Sequence, residues 1–190
     1  MTNNISFKST IRPIMGKEFA KRAAAIGERN FVNQPWTIKE SVIAKDAVTT
    51  GVFDCSVLGI TDGVKVLLLH LCPDEPLNDN FGEIKNYIAN FINNSTQNLN
   101  AILLGSQKIS KKSTKLFNNL ENFISEQKIP CSILKNCLDY FDVLYRKEND
   151  EWCISSVLTE LCLIAGNRSN EEILDKAFKE IRLSSEDKIG

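Results

Sequence analysis

The chain has 190 residues, 43% of them apolar and 25% charged, and a formal net charge of −1. That is enough chain to bury a core of its own as one medium-sized domain. Basic residues gather only at Lys108, Lys111, Lys112 and Lys115 and, more thinly, at Lys17, Lys21 and Arg22, too few for a nucleic-acid footprint. The longest apolar run, Leu161 to Ala165, is far short of the roughly 20 residues of a membrane span. Met1-Thr2-Asn3-Asn4 does not open a basic and then apolar leader of the Sec type.

Six cysteines occur: Cys55, Cys72, Cys131, Cys137, Cys153 and Cys162. There is no C-x-x-C, and with a single histidine in the chain a zinc site is not expected. Most of these thiols lie in or beside apolar runs and read as reduced core residues.

In chain order, residues 1 to 15 read as irregular. Gly16 to Ile26 is predicted as a helix with Phe19, Ala23 and Ile26 on one face. Asn33-Gln34-Pro35 reads as a loop and Trp36 to Ala44 as a strand. Val52 to Thr61 and Val64 to Leu71 are β-rich runs around Asp62-Gly63, a two-residue hairpin signal. Cys72-Pro73 ends the second strand. Glu83 to Ile92 is a helix and Leu99 to Leu104 a buried strand. Ser113 to Gln127 is a second amphipathic helix, presenting Leu116, Leu120 and Ile124. Cys131 to Leu134 is a strand. Phe141 to Arg146 and Trp152 to Leu158 form a hairpin around Glu148-Asn149-Asp150, and Glu171 to Ile181 is a helix. Ser184 to Gly190 reads as a polar, frayed end. Strands mixed with helices point to an α+β domain. The Val52–Leu71 hairpin is apolar on both faces, so it belongs inside the fold.

A two-residue turn at Asp62-Gly63 pairs Thr61 with Val64, and opposed residue numbers then sum to 125. Cys55 and His70 satisfy that sum. They would face each other on one side of the sheet with Cβ atoms roughly 4.5–5.5 Å apart. A thiol with a pKa near 8.5 becomes a nucleophile when an imidazole takes its proton, and the imidazole can return a proton to a leaving amine. Taken singly, a buried histidine is most often a satisfied core residue, and a strand cysteine is most often packing. The shared register, and the fact that His70 is the only histidine, favour a catalytic pair. A one-residue slip would separate them onto opposite faces.

The segment Thr49-Thr50-Gly51-Val52-Phe53-Asp54-Cys55-Ser56-Val57-Leu58-Gly59-Ile60-Thr61-Asp62, followed by Leu69-His70-Leu71-Cys72-Pro73, resembles the glutamine deamidase superfamily of the chemotaxis receptor deamidases and the cytotoxic necrotizing factor toxins. A threonine before the cysteine, an apolar strand after it and a histidine shortly before a proline carry the likeness. The cysteine-to-histidine separation is nearer that of the toxins. Leu104-Gly105-Ser106, a helix and Ile129-Pro130-Cys131 continue it more weakly, so coverage runs from about Val48 to Asn136. The family has glycine or serine before the cysteine. Here Asp54 stands there after Phe53, where an acid is expected to raise the thiol's pKa.

The resemblance implies an α/β/β/α sandwich with two mixed β-sheets of the cysteine-hydrolase type, its core spanning about 45–160 with N- and C-terminal elaborations. It implies Cys55 as nucleophile and His70 as general base, oriented by Thr49 (Thr50 the lesser alternative) as in the receptor deamidases or by a backbone carbonyl as in the toxins. Backbone amides around Asp54 and Cys55 would hold the oxyanion. The implied reaction is conversion of glutamine to glutamate in a protein, without a cofactor or metal. The expected setting is a bacterial effector, made in the cytoplasm and sent into a host cytosol by a non-Sec route. Its partner would be a host protein, with no nucleic acid or membrane, and the chain would be a monomer. The alternatives are a housekeeping chemoreceptor deamidase, an inactive binding module on the same fold, a thiol protease or acyl hydrolase, and a transglutaminase. Specificity is expected in the loops Asp74 to Phe81 and Gly105 to Lys112.

Overall fold

In the computed structural model of the chain the described residues are 9–32, 42–73, 81–95, 98–105 and 110–184. The expected loop at Asn33-Gln34-Pro35, the first part of the strand expected from Trp36, nearly all of the first expected specificity loop and half of the second, Lys108 and nearly all of the polar tail lie outside them.

Along the chain the elements are β1 (Thr10–Pro13), α1 (Gly16–Ile26), β2 (Phe31–Val32), β3 (Val42–Ala44), β4 (Ala47–Val52), β5 (Ser56–Thr61) and β6 (Val66–Leu71). Then come α2 (Phe81–Asn93), β7 (Asn100–Gly105), α3 (Lys111–Glu126), β8 (Cys131–Cys137), β9 (Phe141–Arg146), β10 (Glu151–Ser156), α4 (Val157–Ala165), α5 (Asn170–Ala177) and β11 (Phe178–Ser184). They build a five-stranded sheet, β1-β10-β9-β4-β2, and a six-stranded sheet, β11-β8-β7-β5-β6-β3. Both are mixed. β1 with β10, β2 with β4 and β7 with β8 run parallel, and the other pairs are antiparallel.

The two sheets lie face to face, which makes this an α+β sandwich. Trp152 of β10 fills the space above Gly59 of β5, so closely that a Cβ on Gly59 would run into its ring. Tyr145 of β9 reaches Thr61 of β5 with its hydroxyl. Side chains alternate along strands, so Val57, Gly59 and Thr61 of β5 face the five-stranded sheet while Leu58 and Ile60 face away. α3 packs on that far side, where Leu116 and Leu120 are fully buried, and α2 adds Ile84, Ile88 and Phe91 to the same core. α1 covers the outer face of the other sheet, where Phe19 meets Val48, Leu144 and Cys153. The layers are therefore α/β/β/α.

Several sequence expectations are corrected. The β-rich run before the turn is not one strand. β4 and β5 belong to different sheets, joined by a bend at Phe53-Asp54-Cys55. A bulge drives the departure: Thr49 pairs with Val143 and Val52 with Phe141, leaving Thr50 and Gly51 opposite Asp142 alone. Gly51 sits at φ +68, the left-handed conformation that a bulge glycine takes, and its amide donates to the Asp142 carboxylate at 2.8 Å.

Residues 10–13, expected to be irregular, form an edge strand. The strand expected to run on to Leu158 stops at Ser156, whose side chain caps α4 through a reciprocal pair of bonds with Thr159. The helix expected to reach Ile181 stops at Ala177, and Phe178–Ser184 pairs with β8 as β11.

Candidate active site

The β5–β6 hairpin sets the site, and its turn is one residue later than the sequence suggests. Thr61 pairs with Val66 and Ser56 with Leu71, so opposed residue numbers sum to 127. Asp62 closes the turn from before it, its Oδ1 accepting from the amides of Val64 and Lys65, both at 2.9 Å. Gly63 takes the positive φ of +78 at the first central position. The acid's bonds to amides two and three residues on explain the shift, because they make Asp62 the residue that precedes the turn.

Moving the turn centre by one residue moves the register by two. His70 therefore lies opposite Val57, not opposite Cys55, and the expected direct pairing is corrected to a diagonal one. His70 points between the sheets, toward Thr49 of β4, and Cys55 lies in the bend just before β5.

The position across from Cys55 belongs to Cys72. The two sulfurs are 3.3 Å apart and both residues are 3% exposed. Asp54 Oδ1 lies 3.8 Å from the Cys55 sulfur. The contact with Cys72, then burial, then the Asp54 carboxylate raise the pKa of the Cys55 thiol and keep it protonated at neutral pH.

The histidine is held from the other sheet. Thr49 Oγ1, on β4, donates to the carbonyl of Val32 at 2.7 Å and lies 2.8 Å from His70 Nδ1. A hydroxyl has one proton, and here it is directed at Val32. The threonine must then accept from Nδ1–H. That fixes the tautomer, with the proton on Nδ1 and a bare lone pair on Nε2. His70 is fully buried, and its Nε2 has no hydrogen-bond partner among the described residues. Burial lowers its pKa from 6.5 to about 4. At neutral pH the pair is thus a thiol and a neutral imidazole, not an ion pair.

The bend carrying Cys55 is braced on two sides. Ser113, in the first turn of α3, donates to the Asp54 carbonyl. Gly105 of β7 sits at φ +121, and a Cβ there would strike the Cys55 carbonyl. At the surface, Phe53 stacks on the half-exposed Tyr140, with ring centroids 4.4 Å apart and planes 15° apart.

Of the three residues singled out from sequence, Thr49 meets His70 at Nδ1, whereas Cys55 meets Cys72 and makes no hydrogen bond to His70 Nε2. Thr50 is on the bulge and makes no part of this arrangement. Sequence reasoning passed over Cys72, Ser113, Gly105 and Tyr140 as site residues. Only Cys72 had a signal, since a turn centred one residue later makes it the partner of Cys55. Among the described residues no group of three or more His, Cys, Asp or Glu side chains is placed to hold a metal ion. None of their helices is long and apolar enough to cross a membrane. Comparison of the sequence with protein-family models finds no match, and comparison with curated proteins finds none either.

Proposed function

We propose that the protein is a cysteine hydrolase that deamidates glutamine side chains of another protein, with Cys55 as nucleophile, His70 as general base and Thr49 orienting the base. The observation that carries this reading is the imidazole. Thr49 fixes its tautomer so that Nε2 is the basic nitrogen, and that nitrogen is buried without a partner among the described residues. An unpartnered buried polar atom costs about 1–3 kcal/mol, and a general base must keep such a lone pair open.

The steps follow from a neutral pair. As the Cys55 sulfur attacks the glutamine carboxamide carbon, its proton passes to His70 Nε2. Backbone amides at the Asp54–Cys55 bend face the oxyanion of the tetrahedral intermediate. That intermediate collapses to a thioester, and ammonia leaves with the proton from Nε2. Water, deprotonated by the same nitrogen, attacks the thioester and releases glutamate and the Cys55 thiol. The likeness of the cysteine and histidine segments to those of glutamine deamidases supports the same reaction. The composition, rich in Asn, Lys and Ile, favours a bacterial effector acting on a host protein.

The test is incubation of the purified chain with candidate host proteins, read by peptide mass spectrometry. Deamidation adds about 1 Da at a glutamine with no cleavage, and Cys55→Ala abolishes it. Cleaved partners would instead identify a thiol protease. A second reading has one observation in its favour: Cys55 is nearly inaccessible and its thiol is held protonated. On that reading the fold is a binding module, and Cys55→Ala leaves its function intact.

A further inference from the structure

Cys72 has no part in the reaction above, yet its sulfur is the nearest reactive group to the nucleophile, 3.3 Å from Cys55 Sγ. The two lie on adjacent antiparallel segments, one step beyond the Ser56–Leu71 pair. A disulfide needs the sulfurs at about 2.05 Å. The remaining gap is within reach of small side-chain rotations, because the backbones already run side by side. Both residues are 3% exposed, which bars bulky oxidants and favours one the size of water.

We propose that Cys55 and Cys72 are a site of reversible oxidation by hydrogen peroxide, closing into an intramolecular disulfide that caps the nucleophile. In the first step the Cys55 thiol reduces peroxide, giving a sulfenic acid and one water. In the second, the Cys72 sulfur attacks the Cys55 sulfur, forming the S–S bond and releasing the second water. Two thiols lose two electrons and two protons, and one peroxide becomes two waters. A dithiol reductant reverses the change by exchange. Cys72 then also guards Cys55, since condensation diverts the sulfenic acid from irreversible oxidation. The consequence for activity rests on Cys55 being the catalytic nucleophile, whereas formation of the bond does not.

The experiment exposes the intact chain to peroxide, blocks remaining thiols and digests with trypsin under non-reducing conditions. Lys65 separates the two residues into the peptides Asp46–Lys65 and Val66–Lys85, each with one cysteine. The expected product is these two peptides joined, about 2 Da lighter than their sum, and released by dithiothreitol. In Cys72→Ser the expected product is Cys55 oxidised beyond reduction by dithiothreitol. Three results overturn the proposal: Cys55 recovered unmodified, Cys55 driven to sulfinic acid in the wild type, or Cys55 joined to a different cysteine. If the link forms and no glutamine is ever deamidated, the oxidation site stands and the deamidase reading falls. If glutamine is deamidated and no link forms, the deamidase reading stands and the oxidation site falls.

Discussion

The two ends of the β5–β6 hairpin are built on opposite principles. At the turn end every polar group singled out has a partner. Asp62 binds two amides, and Thr61 lies 3.0 Å from the Tyr145 hydroxyl, which donates to Asp150 at 2.8 Å. Trp152 fills the space over Gly59. At the other end of the same strands, His70 Nε2 and Ser56 Oγ are buried without partners among the described residues. A buried polar network is stabilising when complete and costly when partial. One end of the hairpin therefore holds the sandwich together, and the other leaves buried polar atoms without partners among the described residues at the expense of stability.

Substitutions can break that contrast. The largest effect is expected at the packed end. Gly59→Ala drives a methyl into the Trp152 ring, a strongly overpacked core change that should cost about 3 kcal/mol in denaturant unfolding. An unchanged midpoint would show that the ring yields freely and that this end is not tightly packed.

A similar energy is expected from acid at the other end. The folded-state pKa of His70 is about 4, below its ordinary 6.5. Between those values the unfolded chain binds the proton more readily. The contribution is therefore fully present above pH 6.5 and is lost as pH falls through 4, up to about 3 kcal/mol. His70→Leu should remove this part of the pH dependence of stability. For the proposed reaction, the same depressed pKa predicts activity that persists to about pH 5 and disappears as His70 becomes protonated near 4. An ascending limb near 6.5 would mean that the imidazole is solvated.

Thr49→Val keeps the side-chain shape but leaves the Val32 carbonyl and His70 Nδ1 without the hydroxyl. A loss of about 2 kcal/mol is expected, together with a fall in any Cys55-dependent activity. His70→Leu should change stability at neutral pH by less than about 1 kcal/mol, because it removes an unpartnered buried nitrogen while abolishing activity. That separation of stability from activity is what a purely structural histidine would not show. The smallest effect is in reactivity: Cys72→Ala removes the leading cause of the raised Cys55 pKa and should speed alkylation of Cys55 near neutral pH several-fold. No change would place the control of that thiol with burial and Asp54 instead.

Local pattern determined a good deal of this protein. The periodicity of Phe19, Ala23 and Ile26 places α1 at its observed bounds, and two-sided burial of the hairpin follows from its unbroken apolar runs. The hairpin itself survives a misplaced turn, although the one-residue shift moves the register by two and sets His70 opposite Val57. What local pattern could not supply lies in contacts between distant segments. The pairing with β8 makes a strand of Phe178–Ser184, although Ile173, Leu174 and Ala177 just before it repeat at helical spacing. The bulge at Thr50-Gly51 sends the chain from one sheet to the other, and only the stacking of those sheets brings Thr49 onto His70. Sequence alone thus singled out Cys55, His70 and Thr49 as residues of reactive type. The tertiary structure decided the group that holds His70 and the thiol that faces Cys55, because both depend on hydrogen bonds and contacts between segments that no local period records.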